Sequence, residues 1–147
     1  MEGSNNILIR SVVESDMDAV IEILQSISDF KPSKSEYSNI WRSFDQQDHV
    51  CSLVAILDNT IVGYGSIAFE TKIRGGKMGH IEDIVSHGDF RKKGIGRAIL
   101  DALYIIAQEN GCYKVTLQCE ERNIEFYQKC GYKLGGFSMQ ILENYKY

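Results

Sequence analysis

The sequence predicts an α/β domain of the α+β kind, a mixed and mostly antiparallel sheet with helices on both faces. Three observations predict it. Apolar runs of strand length recur along the chain, and two of them are joined by Asp58-Asn59-Thr60 as a hairpin. Helical stripes separate the runs, two before the hairpin and a long one after the third central run. The 147 residues suffice for one domain, 1–147, with a real core, and no linker, repeat or low-complexity segment divides them.

Residues 7–12 alternate and read as the first strand. Ser15 is the expected N-cap of a first helix, with Asp18 completing a weak capping box. Met17, Val20, Ile21 and Leu24 then follow at i, i+3, i+4 and i+7. Tyr37, Ile40, Trp41 and Phe44 repeat that spacing in a second helix, entered through Pro32 and Ser35. Both stripes read as core. Residues 50–57 form a continuous apolar strand and 61–73 return antiparallel to it. Arg74-Gly75-Gly76-Lys77 turns into a third central strand, 78–85, whose apolar pattern Glu82-Asp83 interrupts. The long helix carries Ile95, Ile99, Ala102, Leu103 and Ile106 on one face and stops at Asn110-Gly111. A strand over 112–119, a short helix over 123–129 ended by Gly131, and a closing strand over 132–142 complete the order β-α-α-β-β-β-α-β-α-β.

Composition excludes several classes of function. With 44% hydrophobic and 24% charged residues the chain is globular. A net charge of −4 argues against general nucleic-acid binding, so the cluster Arg91, Lys92, Lys93 and Arg97 stands out against an acidic whole. The opening MEGSNNILIR lacks the pattern of a signal peptide, and no apolar run approaches a membrane span, so a cytoplasmic protein is expected. Cys51, Cys112, Cys119 and Cys130 form neither CxxC pairs nor Cys/His ligand spacings. They read as reduced, half-buried thiols, and no metal is expected.

The segment Arg91-Lys92-Lys93-Gly94-Ile95-Gly96 opens the long helix directly after a central strand and a short loop. A helix N-terminus leaves backbone N–H groups unpaired and carries partial positive charge. Glycines there let the backbone approach an anion, and Arg and Lys add attraction for phosphate. Alone, the two glycines could merely ease a tight turn, and the cations could form a solvated tip. The segment is neither the G-x-G-x-x-G of a dinucleotide fold nor a Walker loop.

The wider pattern is more specific. A strand, Arg91-x-x-Gly94-x-Gly96, a long helix, a strand, Asn123-Ile124-Glu125-Phe126-Tyr127 and Gly131-Tyr132 together resemble the GNAT superfamily of N-acetyltransferases along the whole chain. The resemblance implies the GNAT fold and acetyl-CoA as cosubstrate. By it, Arg91, Lys92, Lys93, Gly94, Ile95, Gly96 and Arg97 hold the pyrophosphate. Ile84 and Val85 splay from the neighbouring strand to bond the pantetheine arm and acetyl carbonyl, and Asn123 and Tyr127 lie beside the thioester. The chemistry fits: an amine attacks the thioester carbonyl, a backbone N–H stabilises the oxyanion, and Tyr127 is the candidate acid for the departing thiolate. The competing reading of Tyr127 is a core aromatic, but Phe126 beside it is expected to take the buried position.

Gly79-His80-Ile81-Glu82-Asp83-Ile84-Val85, Gly111-Cys112-Tyr113-Lys114-Val115-Thr116-Leu117 and Cys130-Gly131-Tyr132 are similar to the branch of that superfamily that acetylates glucosamine 6-phosphate for UDP-N-acetylglucosamine synthesis. This resemblance implies that Lys72, Tyr113 and Lys114 belong to the substrate site, Lys114 facing the phosphate; surface charge is the competing reading of both lysines. Glu82 and Asp83 could bind the acceptor's hydroxyls and ammonium and serve the catalysis. Adjacent strand residues point to opposite faces, so either the strand is bulged there or one of the two acts through its backbone. The resemblance further implies a homodimer that shares its C-terminal strand and a phosphate-binding arginine near the C-terminus. Here Leu142 stands at that position, so Lys146 or another cation substitutes, phosphate binding is weaker, or the acceptor differs. Alternatives are transfer to another primary amine, such as a polyamine or a protein amino group, and a non-catalytic acetyl-CoA sensor, against which Tyr127 counts.

Overall fold

Five strands form one sheet whose spatial order follows the chain: β1 (Leu8–Ser11), β2 (Val50–Leu57), β3 (Thr60–Thr71), β4 (Lys77–Ser86) and β5 (Lys114–Leu117). The computed structural model describes residues 6–90 and 93–143. β1 through β4 pair antiparallel, and only β5 lies parallel to β4. That parallel pair needs a crossover, which α3 (Ile95–Glu109) supplies. The hairpin between β2 and β3 closes at Asp58-Asn59, both at positive φ, with Leu57 paired to Thr60. Two such residues match the twist of the strands they join.

Helices cover both faces, as the apolar spacing predicts. On one face Ile95, Ile99, Leu100 and Leu103 of α3 pack against Leu53, Ile67 and Ile81. On the other, Val20 and Ile23 of α1 (Met17–Leu24) pack against Val54, Tyr64 and Val85. The seat of α3 on β3 depends on two residues without side chains. A Cβ at Gly63 would meet Ile95 Cγ2 at 2.5 Å, and one at Gly65 would meet Ile84 Cδ1 and Ile99 Cγ2 at 2.6 Å.

Several expectations change. The carboxylate at the start of α1 is Asp16 rather than Asp18. It accepts the Val13 N–H at 2.8 Å and takes the Arg10 guanidinium in a fork at 2.7 and 2.9 Å. Arg10 holds the Asp16 carboxyl below the usual aspartate range, and the pair ties β1 to α1. A 3-10 turn at Glu14–Asp16 displaces Ser15 from the expected cap. A similar turn at Lys34–Glu36 precedes α2 (Tyr37–Asp45), where Ser33 and Glu36, not Ser35, make the capping contact. No residue of α2 is fully buried; its stripe of Tyr37, Ile40, Trp41 and Phe44 stays half-buried at the rim rather than entering the core. Cys51, Cys112 and Cys130 are half-buried as expected, but Cys119 is exposed.

The largest difference is at the end. Residues 132–142 form no strand. Phe137, Met139 and Ile141 alternate with Ser138 and Gln140, which is a strand pattern, yet nothing among the described residues covers them and all three are fully exposed. The order is therefore β-α-α-β-β-β-α-β-α, closing on α4 (Ile124–Lys129). No helix among the described residues is long and apolar enough to cross a membrane.

The glycine contact gives a direct test. Gly65→Ala must displace packed isoleucines, and overfilling a tight core costs about 1–3 kcal/mol. Urea denaturation should show a lowered midpoint with an unchanged slope; a wild-type midpoint would mean that α3 accommodates the methyl group freely.

Candidate active site

β4 and β5 part company halfway. Their pairing runs from Met78–Lys114 to Ile81–Leu117 and stops, while β4 continues to Ser86. Beyond Ile81, therefore, no strand pairs with the β5 side of β4. A cleft of about 210 Å3 opens there, lined by Glu82, Asp83 and Ile84 of β4, by Gln118 and Cys119 beyond β5, and by Asn123 and Tyr127.

The strand is bulged at this level. Tyr64 pairs with Val85 and Ser66 with Glu82, so Gly65 alone faces Asp83 and Ile84. Asp83 takes φ 57, the left-handed region. Such a bulge re-aims side chains, which is how neighbouring Glu82 and Asp83 both reach one cleft. The bulge, one of the two ways out posed by their adjacency, is present. The buried Ser66 hydroxyl donates to the Glu82 carbonyl at 3.3 Å and braces it from β3. Partial desolvation raises the Asp83 carboxyl above the usual range. Desolvation also raises the Tyr64 phenol beneath, with Asp83 adding to the shift.

Tyr127 enters the cleft from α4. Its ring meets Phe126 edge-on at 5.1 Å and Tyr132 at 6.1 Å, and the Tyr132 N–H donates to its carbonyl at 3.0 Å. Burial raises its phenol, and Cys119 and Cys130 reinforce the shift. The expected division of labour with Phe126 is reversed: Phe126 is 40% exposed, whereas Tyr127 packs on the core. Consecutive helical residues point about 100° apart, and Phe126 instead caps Gly96, where a Cβ would stand 3.2 Å from its ring. The Tyr132 hydroxyl is buried without a hydrogen-bond partner among the described residues, and desolvation pushes its pKa up to about 12.

The glycine turn begins α3 as anticipated. Gly94 adopts φ 77 and its carbonyl accepts the Ala98 N–H at 3.0 Å. The side chain of Ile95 is buried in the core beneath the turn. Lys93 is exposed with its ammonium 5.7 Å from the Phe90 ring. Arg97 points elsewhere: it donates to the Lys129 carbonyl at 3.1 Å and lies 3.7 Å from Asp101, tying α3 to α4. Arg91 and Lys92 lie outside the described residues. The Val85 side chain is buried beneath α1, so only Ile84 of that pair lines the cleft with its side chain.

The remaining site residues gather below the cleft on the sheet. Lys72 pairs with Glu70 at 2.8 Å. Tyr113 accepts a hydrogen bond from Arg74 at 2.9 Å, and that bond, with the charges of Arg74, Lys114 and Lys72, lowers its phenol pKa. Lys114 is exposed at the first position of β5, level with Met78. Leu142 is exposed and distant in sequence from any partner on the sheet, and Lys146 lies outside the described residues. Sequence reasoning missed Cys119 and Gln118. Their signal is position: both follow the carboxyl end of a parallel strand, where open sheets bind ligands. Gln118 also bonds to Ser138 of the C-terminal segment.

The chain belongs to the acetyltransferase (GNAT) family, whose sequence model matches residues 17–132, a class of acyl-transfer enzymes. Within that family it is similar to glucosamine 6-phosphate N-acetyltransferase 1 of Dictyostelium discoideum, 37% identical over 125 residues, 82% of this chain and 80% of the relative. The glucosamine 6-phosphate N-acetyltransferase of Trypanosoma brucei brucei is 34% identical over 138 residues, 90% and 93% of the two chains. The crystal structure of the Arabidopsis thaliana glucosamine-6-phosphate N-acetyltransferase superposes with a TM-score of 0.87 at 29% identity, covering 95% of this chain and 99% of that one.

Proposed function

We propose that this chain is an acyltransferase that moves the acetyl group of acetyl-CoA to the amine of glucosamine 6-phosphate, forming N-acetylglucosamine 6-phosphate and free coenzyme A. The observation that carries this reading is the cleft between β4 and β5, where Glu82, Asp83 and Tyr127 meet at an unpaired strand edge. The names of the relatives supply the acceptor.

The backbone turn at Gly94 and the first N–H groups of α3 receive the pyrophosphate, with Lys93 and the neighbouring Arg91 and Lys92 adding positive charge. The free edge of β4 around Ile84 and Val85 binds the pantetheine arm and supplies the N–H that stabilises the oxyanion. Glu82 and Asp83 bind the acceptor's hydroxyl and ammonium groups and take up the proton the amine must lose. A carboxyl with a raised pKa, as at Asp83, is a better base than an ordinary aspartate. The nitrogen then attacks the thioester carbon, the tetrahedral centre collapses, and the C–S bond breaks. Tyr127, a phenol already protonated at neutral pH and raised further by burial, donates its proton to the sulfur and regains one from the nitrogen, which sheds its second proton as the amide forms; Asn123 lines the same space. Lys72, Tyr113 and Lys114 form the phosphate end of the acceptor site, where they stand in for the arginine that Leu142 replaces.

The uncovered apolar segment supports a homodimer. Phe137, Met139, Ile141 and Leu142 are exposed in the single chain, and pairing the segment with a second copy removes an aggregation hazard. Free thiols at all four cysteines suit a reducing compartment, and this reading assigns the reaction to the cytoplasm.

Three measurements test these assignments. Tyr127→Phe should lower kcat by roughly 10²-fold or more, the scale of lost general acid catalysis, with little change in coenzyme A affinity; wild-type turnover in a chemistry-limited assay would return Tyr127 to a packing role. Glucosamine 6-phosphate should be the preferred acceptor in an assay of thiol release. Lys114→Ala should cut kcat/KM for it by roughly ten- to a hundredfold, from a charged hydrogen bond of about 1.5–3 kcal/mol. Equal efficiency of the wild-type protein on glucosamine and its phosphate would remove the phosphate site. Light scattering at micromolar concentration should find a dimer, and only monomer would refute the shared segment.

A further inference from the structure

Below the cleft, three strands are joined by a chain of polar side chains that the proposed chemistry does not use. His80 of β4 sits between them, its Nδ1 3.0 Å from the Thr116 hydroxyl of β5 and its Nε2 3.0 Å from Glu70 Oε2 of β3. The other oxygen of Glu70 accepts from Lys72 Nζ at 2.8 Å. With the ring proton on Nε2, His80 donates to Glu70 and accepts from Thr116, so one neutral tautomer satisfies all three groups. His80 pairs with Ala68 and Thr116, and Glu70 pairs with Met78, which puts the whole chain on the same face of the sheet.

We infer that His80 is a positioning residue for acceptor selection: braced by Thr116, it fixes Glu70, and Glu70 draws the Lys72 ammonium back along the sheet toward the cleft. The inference rests on the reading of Lys72 as a phosphate contact. Lys72 follows the last paired residue of β3, Thr71, at the far end of the β3–β4 hairpin. Unanchored, a four-carbon ammonium there loses rotamer freedom on every binding event. The Glu70 carboxylate holds it instead beside the β4 side chains. Lysine has three N–H donors, so one spent on Glu70 leaves two for a phosphate. Glu70 reduces the local positive charge, and what the arrangement supplies in exchange is a defined direction.

The test is steady-state kinetics of the whole protein with glucosamine 6-phosphate and with glucosamine, read as the ratio of the two kcat/KM values. His80→Ala and, separately, Thr116→Val should raise KM for the phosphorylated acceptor roughly three- to tenfold, the scale of one weakened charge-assisted hydrogen bond. The saturated kcat and the KM for acetyl-CoA should hold, so the ratio falls by the same factor. His80→Gln, whose amide can still donate to Glu70, should recover most of the loss. In a Lys72→Ala background, His80→Ala should lower the ratio no further. If Lys72→Ala itself leaves the ratio unchanged, the phosphate reading of Lys72 is wrong. If Lys72→Ala lowers the ratio but neither His80→Ala nor Thr116→Val does, or if these two slow both acceptors equally, His80 is no more than part of the sheet and the inference is overturned.

Discussion

The interaction on which the rest of the molecule depends is one that stops. The hydrogen-bond ladder between β4 and β5 ends at Ile81 and Leu117, and Glu82, Asp83, Asn123 and Tyr127 stand beyond or beside that end. Parallel pairing makes this possible. Because β4 and β5 run the same way, their carboxyl ends emerge on the same side of the sheet. The connecting α3 then starts where β4 leaves off, so a helix N-terminus and an unpaired strand edge are brought together by topology. A backbone edge within a folded sheet needs partners for its polar groups, and the cleft offers those groups to a ligand.

The same region is tied to the core from behind. Gly65 is both the residue opposite the bulge and the gap into which Ile84 and Ile99 fit. Ser66, its neighbour, holds the Glu82 carbonyl. Packing of α3 and the path of β4 through the site are thus set by adjacent residues of β3. Phe126 makes a comparable link on the other side, since it covers Gly96 at the start of α3 while Tyr127 turns into the cleft. The helix that presents the anion-binding turn and the helix that presents the phenol therefore meet at a glycine, and Arg97 bonded to the Lys129 carbonyl fastens the same pair.

Much of this was legible in the chain because its signals are local. Alternation and continuous apolar runs marked the five strands, and Asp58-Asn59 and Arg74-Gly75-Gly76-Lys77 marked the turns between them. Two adjacent carboxylates in a strand that could serve only one face pointed to a bulge, and one is present at Asp83. What escaped was set by tertiary contact. The amphipathic spacing of α2 is genuine, but spacing alone cannot say whether a face meets a core or a rim. Asp16 outcompetes Ser15 at the start of α1 because Arg10, six residues earlier on β1, reaches it. Arg97 reads as a phosphate ligand from its neighbours in sequence and is occupied by α4 in space. The bridge through His80 joins residues as far apart as Glu70 and Thr116, and no short motif encodes it.

The C-terminal segment carries a consequence of a different kind. Its strand pattern is complete, yet the apolar side chains of Phe137, Met139, Ile141 and Leu142 find no cover among the described residues. In the proposed homodimer their cover comes from the second copy, and a contribution from outside obeys mass action. The sheet and its two helix layers are held by contacts within the chain, whereas in that dimer the cover of this segment varies with how much partner is present. Through Ser138 and Gln118 that variable part touches the rim of the cleft. In the proposed homodimer, dilution becomes a structural variable, acting on the wall of the site while leaving the core as it was.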